Sequence, residues 1–262
     1  MSRNRSILLS FDVEEFDMPL EYNQPVPMDQ QLEVGYKGLR DTMEVIDATG
    51  ATSTFFTTAH FANSFPDAVR RIAQQHEIAS HTFYHSSFEV PHLLQSRLQL
   101  EAITGNSVTG LRMPRMRYVA MPDVIAAGYT YDSSVNPTWL PGRYDNRDKP
   151  RTMYCEEGML RLPAAVSPRM RIPLFWLAFK NMPYSLFKSL AIRTLKQDGY
   201  LCLYFHPWEF TSLDGYHIPG YTKRWAGEPL KQRLYKLIAD LGKEGDFVTI
   251  QQMLAQRRQP AL

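Results

Sequence analysis

Residues 7–17 read ILLSFDVEEFD. Ile7 to Phe11 are apolar or small without a break, the pattern of a strand buried on both faces. Asp12, Glu14, Glu15 and Asp17 then follow within six positions. A core strand that runs straight into acid fits folds whose working side chains collect where strands end and loops begin, as in parallel β/α sheets and barrels. Side chains alternate along a strand, so Asp12, Glu14 and Phe16 are expected on one face, Val13 and Glu15 on the other.

The rest of the chain alternates between strand-like and helix-like segments. QQLEVGYKGLRDTMEVIDATG places Leu32, Tyr36, Leu39, Met43 and Ile46 at helical period and closes on Gly50. ATSTFFTTA reads as a second strand, and FPDAVRRIAQQ as an amphipathic helix with proline near its start. HEIASHTF is a third short strand and HLLQSRLQLEAITG a helix ending at Gly105. VTGLRMP and GYTYDSS read as further strands with the helix MPDVIAAG between them. Later come MLRLPAAV, a helical stretch from about Pro183 to Lys196, the strand GYLCLYF, the helix PLKQRLYKLIADLGKEG and DFVTIQQML. This alternation predicts an α/β fold with a parallel sheet closed as a barrel or nearly so, in one domain spanning residues 1–262. Polar or ionisable residues fall at five strand ends: Asp12 and Glu14, His81 and His85, Arg112, Asp132, and His206.

With 262 residues, 44% hydrophobic and 21% charged, the chain has the make-up of a globular protein. A chain of this size buries about 70–75% of its unfolded surface and needs neither disulfide nor structural metal. Lysine and arginine (29) barely exceed aspartate and glutamate (27), which leaves no electrostatic footprint for nucleic acid. Cys155 and Cys202 are too few for a disulfide framework and are expected as buried free thiols. MSRNRS is basic, but the apolar run behind it is only about five residues long, too short for a signal peptide, so a cytoplasmic protein is expected. No run of about 18 or more apolar residues occurs.

In SHTFYHSSF, three residues separate His81 from His85, and on a helical turn such a pair projects side by side. Two imidazoles on one face can share a metal ion, whereas the spacing alone fits one core and one surface histidine equally well. A same-face Asp12-x-Glu14 pair can supply one ligand and one general base. Two histidines and a carboxylate then leave a position open for water, the catalytic zinc arrangement. Glu15 and Asp17 read as exposed acids of a solvated loop. In LYFHPWEF, His206 follows an apolar strand and precedes Pro207, which stops the ladder, and Trp208, which can wall a cleft. A histidine there suits protonation of a leaving amine, although taken singly it reads as an ordinary strand-end residue. In GLRMPRMRY, Arg112 carries a charge able to hold Asp12 ionised and oriented. Arg115 and Arg117 read as surface charges or as contacts for an anionic substrate.

SFDVEE, SHTFYH, LRMPR and YFHPWE, in that order, resemble the polysaccharide deacetylase family, carbohydrate esterases of the NodB-homology type. The resemblance runs from about Ile7 to Leu254. It implies a distorted (β/α) barrel of about seven parallel strands. It also implies a metal-dependent hydrolase that removes an N-acyl group, typically acetyl, from an amino sugar. Many members carry two adjacent aspartates in the first motif, but here Val13 follows Asp12, and the chain resembles the subset with Asp-x-Asp or Asp-x-Glu. That implies Asp12 as base and Glu14, His81 and His85 as ligands of a divalent metal, expected to be zinc, with Glu15 the competing carboxylate. It further implies Arg112 orienting Asp12, His206 as the leaving-group acid, and an Asp132–His206 hydrogen bond keeping that histidine protonated near neutral pH. Arg115, Trp208 and Trp139 are the expected substrate contacts.

Two other readings stay open. One is an amidohydrolase of the same fold acting on a non-sugar amide or cyclic imide. The other is an inactive carbohydrate-binding relative, against which the filled catalytic positions count. The expected partner is a carbohydrate or a nucleotide- or lipid-linked sugar, without nucleic acid. RIPLFWLAFKNMPYSLFKSL reads either as a core-packed helix and loop or as a surface that rests on a membrane.

Overall fold

The computed structural model describes residues 5–258, so most of the basic MSRNRS segment lies outside the described residues. The strands, in chain order, are β1 (Ser6–Val13), β2 (Ser53–Thr57), β3 (Glu77–Ser80), β4 (Gly110–Leu111), β5 (Tyr131–Asp132), β6 (Trp139–Leu140), β7 (Tyr144–Asp145), β8 (Tyr154–Glu156), β9 (Met159–Arg161), β10 (Tyr200–Phe205) and β11 (Asp246–Phe247). The main sheet runs β10-β1-β2-β3-β4-β5-β9-β8, with β11 added beside β1. Its pairings are parallel except the closing β8–β9 hairpin, and β6–β7 forms a separate antiparallel hairpin. Seven strands from β10 to β9 therefore run parallel, as the sequence predicts. The sheet curls into an open half-barrel rather than a closed one. The segment after β9 reaches β10 through the backbone bond Ala165 N to Cys202 O, 2.8 Å.

The alternation predicted for β1 sorts its side chains into two environments. Ile7, Leu9, Phe11 and Val13 pack outward into the helix-facing core. Leu8 points inward, where it meets Phe56, Tyr131, Leu162 and Cys202. Ser10 and Asp12 share its parity and reach the interior guanidinium of Arg112. DFVTIQQML divides into β11 and the helix Ile250–Arg258, whose Ile250, Met253 and Leu254 plug the barrel floor. Glu77 ties that plug down, accepting from Thr54 Oγ1 at 2.8 Å, Tyr131 OH at 2.7 Å and the Gln251 N–H at 3.1 Å.

The helix Met28–Thr49 is rotated from the apolar stripe read in the sequence. Its buried face runs Gln31, Gly35, Gly38, Leu39, Thr42, Val45 and Ile46, while Leu32, Tyr36 and Met43 are only half-buried. The reason is a backbone-to-backbone approach. A Cβ on Gly35 would stand 2.5 Å from the Glu14 carbonyl oxygen, and one on Gly38 would stand 2.3 Å from that of Pro207. These two glycines let one helix support both the first-strand loop and the turn after β10.

Phe175, Trp176, Phe179 and Phe187 of the aromatic-rich stretch are buried in the helices Trp176–Asn181 and Tyr184–Asp198 and the residue before them. The core-packed reading of that stretch is the one its aromatic residues adopt. Among the described residues, no helix is long and apolar enough to cross a membrane. Cys202 is a buried free thiol as expected, but Cys155 is exposed, because it points outward from the edge strand β8.

Candidate metal centre

Glu14, His81 and His85 converge at the carboxyl-terminal rim of the half-barrel. His81 Nε2 and His85 Nε2 each lie 3.1 Å from Glu14 Oε2. All three side chains are buried, and one donor atom from each falls within 4.8 Å of the others. Each donor is aimed from behind. His81 Nδ1 sits 2.7 Å from the Arg112 carbonyl oxygen, which only accepts, so Nδ1 carries the proton and Nε2 keeps its lone pair for a ligand role. His85 Nδ1 lies 2.8 Å from Asp17 Oδ1. Glu14 Oε1 accepts from Trp208 Nε1–H at 3.0 Å, which leaves Oε2 toward the histidines.

The two histidines do not meet on a helical turn. They flank an irregular loop, and Thr82 within it has φ +63°, a left-handed conformation that is costly for a β-branched residue. Thr82 N–H bonds to Ser80 Oγ at 3.1 Å, and Thr82 Oγ1 donates to the Tyr84 carbonyl at 3.1 Å. The first amides of the helix Ala59–Ser64 also hold the loop, Ala59 N–H to Thr82 O at 3.0 Å and His60 N–H to Phe83 O at 2.9 Å. Backbone bonds from a neighbouring element thus hold the bend that brings the imidazoles together.

Glu14 follows the end of β1, yet it keeps the phase of Asp12, and the strand-alternation argument places it correctly. Glu15 turns away and accepts from Thr58 Oγ1 at 3.0 Å, which removes it as the competing ligand. Its buried position corrects the expectation of a solvated acid. Asp17 corrects it further, being 3% exposed and paired with both His85 and Arg115. Burial opposes the charge on Glu14, but His85 and His206, with the His81 hydrogen bond, outweigh it and hold the carboxyl well below the usual range. Burial likewise opposes charge on His85, but Glu14 and Asp17 prevail and lift it to about 9.

Arg112 is fully buried and grips Asp12 Oδ1 at 2.6 Å, as expected. Its remaining donors reach Ser10 Oγ, Ser133 Oγ and the Ser133 carbonyl. Asp12 Oδ2 then faces His206 Nε2 across 4.0 Å. Asp132 does not touch His206. It is buried against Ser134 N–H at 3.0 Å and Arg161 at 3.7 Å, and burial lifts its carboxyl above the usual range. Its neighbour Tyr131 points into the barrel interior, so Asp132 leaves the opposite face of β5, and the expected hydrogen bond does not form. The carboxylate beside His206 is instead Glu209, whose Oε1 lies 3.2 Å from Nδ1.

The expected substrate contacts divide. Trp208 borders the cleft but is 1% exposed, with its N–H committed to Glu14. Trp139 is exposed on the β6–β7 hairpin, beneath Arg147, and its neighbour Leu140 faces the cleft in its place. Arg115 lines the cleft with its donors engaged by Glu21 at 2.6 Å, Asp17 at 2.9 Å and the His85 carbonyl at 3.2 Å. It braces the ligand loop, and Arg117 is exposed. Met18, Met116, Leu140, Phe175 and Leu177 supply the apolar walls of the cleft.

Two imidazole nitrogens and one carboxylate oxygen, all buried at the floor of an open cleft, form a donor set that suits a divalent cation and leaves coordination positions toward the cleft. Sequence reasoning missed Asp17, Glu209 and Lys180. The period-two argument ended with the strand before Asp17. Glu209 was in view within HPWE, and a lysine inside the apolar run FWLAFKNM was itself a sign of a buried charge.

The polysaccharide deacetylase family model matches residues 33–131. No curated protein matches the chain. Among solved structures, the chain is similar to a protein assigned as a polysaccharide deacetylase from Pseudomonas aeruginosa PAO1, with TM-score 0.67, 14% identity and 99% and 93% of the two chains covered. It is similar to PuuE allantoinase with TM-score 0.64, 15% identity and coverage of 99% and 92%. A protein assigned as a polysaccharide deacetylase from Mycobacterium smegmatis gives TM-score 0.62, 18% identity and coverage of 98% and 92%. At such identities the structural likeness is one of fold. The family model, matched over residues 33–131, and the buried ligand triad at the rim make the chain similar to the polysaccharide deacetylase family over that part of its length.

Proposed function

We propose that this chain is a metal-dependent hydrolase that removes an N-acyl group, acetyl in the first instance, from an amino sugar or a sugar-linked small molecule. The observation that carries the reading is the Glu14–His81–His85 donor set with Asp12 and His206 beside it on one rim. Two nitrogens and one oxygen favour zinc among divalent ions. Bound there, such an ion supplies Lewis acidity, polarising an amide carbonyl and acidifying water. Asp12, oriented by Arg112, takes the proton of the attacking water at Oδ2, the oxygen that faces the cleft side. His206 gives its Nε2 proton to the departing nitrogen. Trp176, Tyr204 and Trp208 exclude water around that ring.

The test is acid release from a panel of N-acetyl and N-formyl amino sugars, free and nucleotide-linked, by zinc-loaded protein. Turnover is expected in the wild type and is lost with the metal in H81A and H85A. The fold shared with an allantoinase makes a cyclic ureide the proper second arm of the panel. Turnover of the ureide alone would replace the sugar reading with the non-sugar one. Sugar binding without release of any acid would leave only the binding-protein reading.

A further inference from the structure

His206 opens the turn Pro207–Phe210 and is boxed by aromatic rings. Trp176 stands edge-on and Trp208 is stacked, each 5.0 Å away between centroids, and Tyr204 is 6.0 Å away. Glu209 Oε1 accepts the His206 backbone N–H at 2.7 Å and lies 3.2 Å from His206 Nδ1. Glu209 Oε2 lies 2.9 Å from Lys180 Nζ, and both side chains are fully buried. Lys180 also donates to the Thr222 carbonyl at 2.7 Å, which fixes the ammonium in place. Nothing in packing calls for this pair, since desolvating two ions costs several kcal/mol each and apolar residues fill such space as well or better. Lys180 Nζ also lies over the Trp176 and Trp208 rings, at 5.3 and 5.8 Å, and the side chain that the Glu209 carboxylate reaches beyond Lys180 is the imidazole.

We propose that Glu209, held by Lys180, is the positioning residue of His206, the task that the family resemblance implies for Asp132. The proposal rests on reading His206 as the leaving-group acid. An ionised carboxylate only accepts, so the contact puts a proton on Nδ1 and turns Nε2, the other titrating atom, to the cleft and Asp12. Lys180 keeps the arrangement from collapsing. Burial would push the Glu209 carboxyl up toward the imidazole, but Lys180 and His206 outweigh it and hold it below the usual range. The groups that face the His206 ring are Glu14 and Asp12 from the end of β1, Glu209 with Lys180 behind it, and the Tyr204 phenol.

The experiment is 15N NMR titration of histidine-labelled, zinc-loaded protein, with H206Q identifying the resonance, alongside pH profiles of kcat/KM. In Glu209→Gln, the His206 midpoint is expected to fall by about one pH unit and Nδ1–H to lose its dominance. The alkaline limb of kcat/KM is expected to move to lower pH by the same amount, with zinc affinity within about threefold of wild type. The double variant E209Q/K180M removes both buried charges and guards against a misfolded single variant, and it should titrate like E209Q. K180R, which keeps both Glu209 and the cation, should hold the wild-type midpoint. An unmoved His206 midpoint and tautomer in both E209Q and the double variant would overturn the proposal. If the wild type releases no acid from any substrate but the NMR shifts appear, the positioning role stands and the catalytic reading falls.

Discussion

Asp17 was read in the sequence as a solvated acid, and the structure makes it the backing of a metal ligand, so Asp17→Asn is the sharpest perturbation. The substitution keeps the shape but removes the charge lying 2.8 Å from His85 Nδ1, in a pair 3% and 8% exposed. Loss of such an outer partner weakens a site about 10–100-fold, or about 1.4–2.7 kcal/mol. A second effect opposes it. In the metal-free protein His85 is lifted to about 9, so at pH 7 a proton competes with the metal by a factor of about 100, or about 2.7 kcal/mol. Asp17 is one of the charges that raise it, so D17N lowers the His85 value and relieves part of that competition. The loss in affinity should therefore be smallest at pH 7 and approach its full value near pH 9. In the wild type, affinity should climb about tenfold per pH unit over that range and then level off. Arg115 keeps Glu21 and the His85 carbonyl, so the loop itself should stay in place. Competition against a fluorescent zinc chelator at pH 7, 8 and 9 measures all of this. Wild-type affinity in D17N at pH 9 would refute the backing role.

Four further outcomes follow from the geometry. D12N should lower kcat about 10²–10⁴-fold with zinc affinity within a few-fold of wild type, since the aspartate is placed as base and not as ligand; steady-state rates beside chelator titrations check it. W208F, which deletes the 3.0 Å bond to Glu14 Oε1, should weaken zinc binding by about 1.5–3 kcal/mol, read by the same titration. G38A should destabilise the fold by about 1–3 kcal/mol in urea and depress activity, because its Cβ would meet the Pro207 carbonyl behind His206. E77A should cost about 3 kcal/mol or more by leaving the Tyr131, Thr54 and Gln251 donors unpaired at the barrel floor, while zinc affinity holds, which denaturant midpoints and chelator titration separate.

What the residues determined alone was whatever is periodic or local. The unbroken run Ile7–Phe11 had to be a strand, and period two carried Asp12 and Glu14 to one side and Glu15 to the other without any knowledge of neighbours. Helices marked by glycine and proline ended where their termini require, at Gly50 and Gly105 in left-handed conformation. Strand ends bearing polar groups pointed to one rim, and that is where the metal ligands meet. Whatever depends on distance across the fold was not local. The phase of the helix Met28–Thr49 was set by backbone approach at Gly35 and Gly38, not by its apolar stripe. The histidine pair met through a strained loop clamped by another helix's amides, not through helical spacing. The partner of His206 was a question of which carboxylate the curled sheet brings near. Asp132 leaves the face of its strand opposite the interior, while Glu209 lies on the same turn, stabilised by a lysine 29 positions earlier in the chain. Sequence dictates which groups exist and which face they leave. Only closure of the tertiary structure, where burial makes each charge find a partner, decides which of them act on one another.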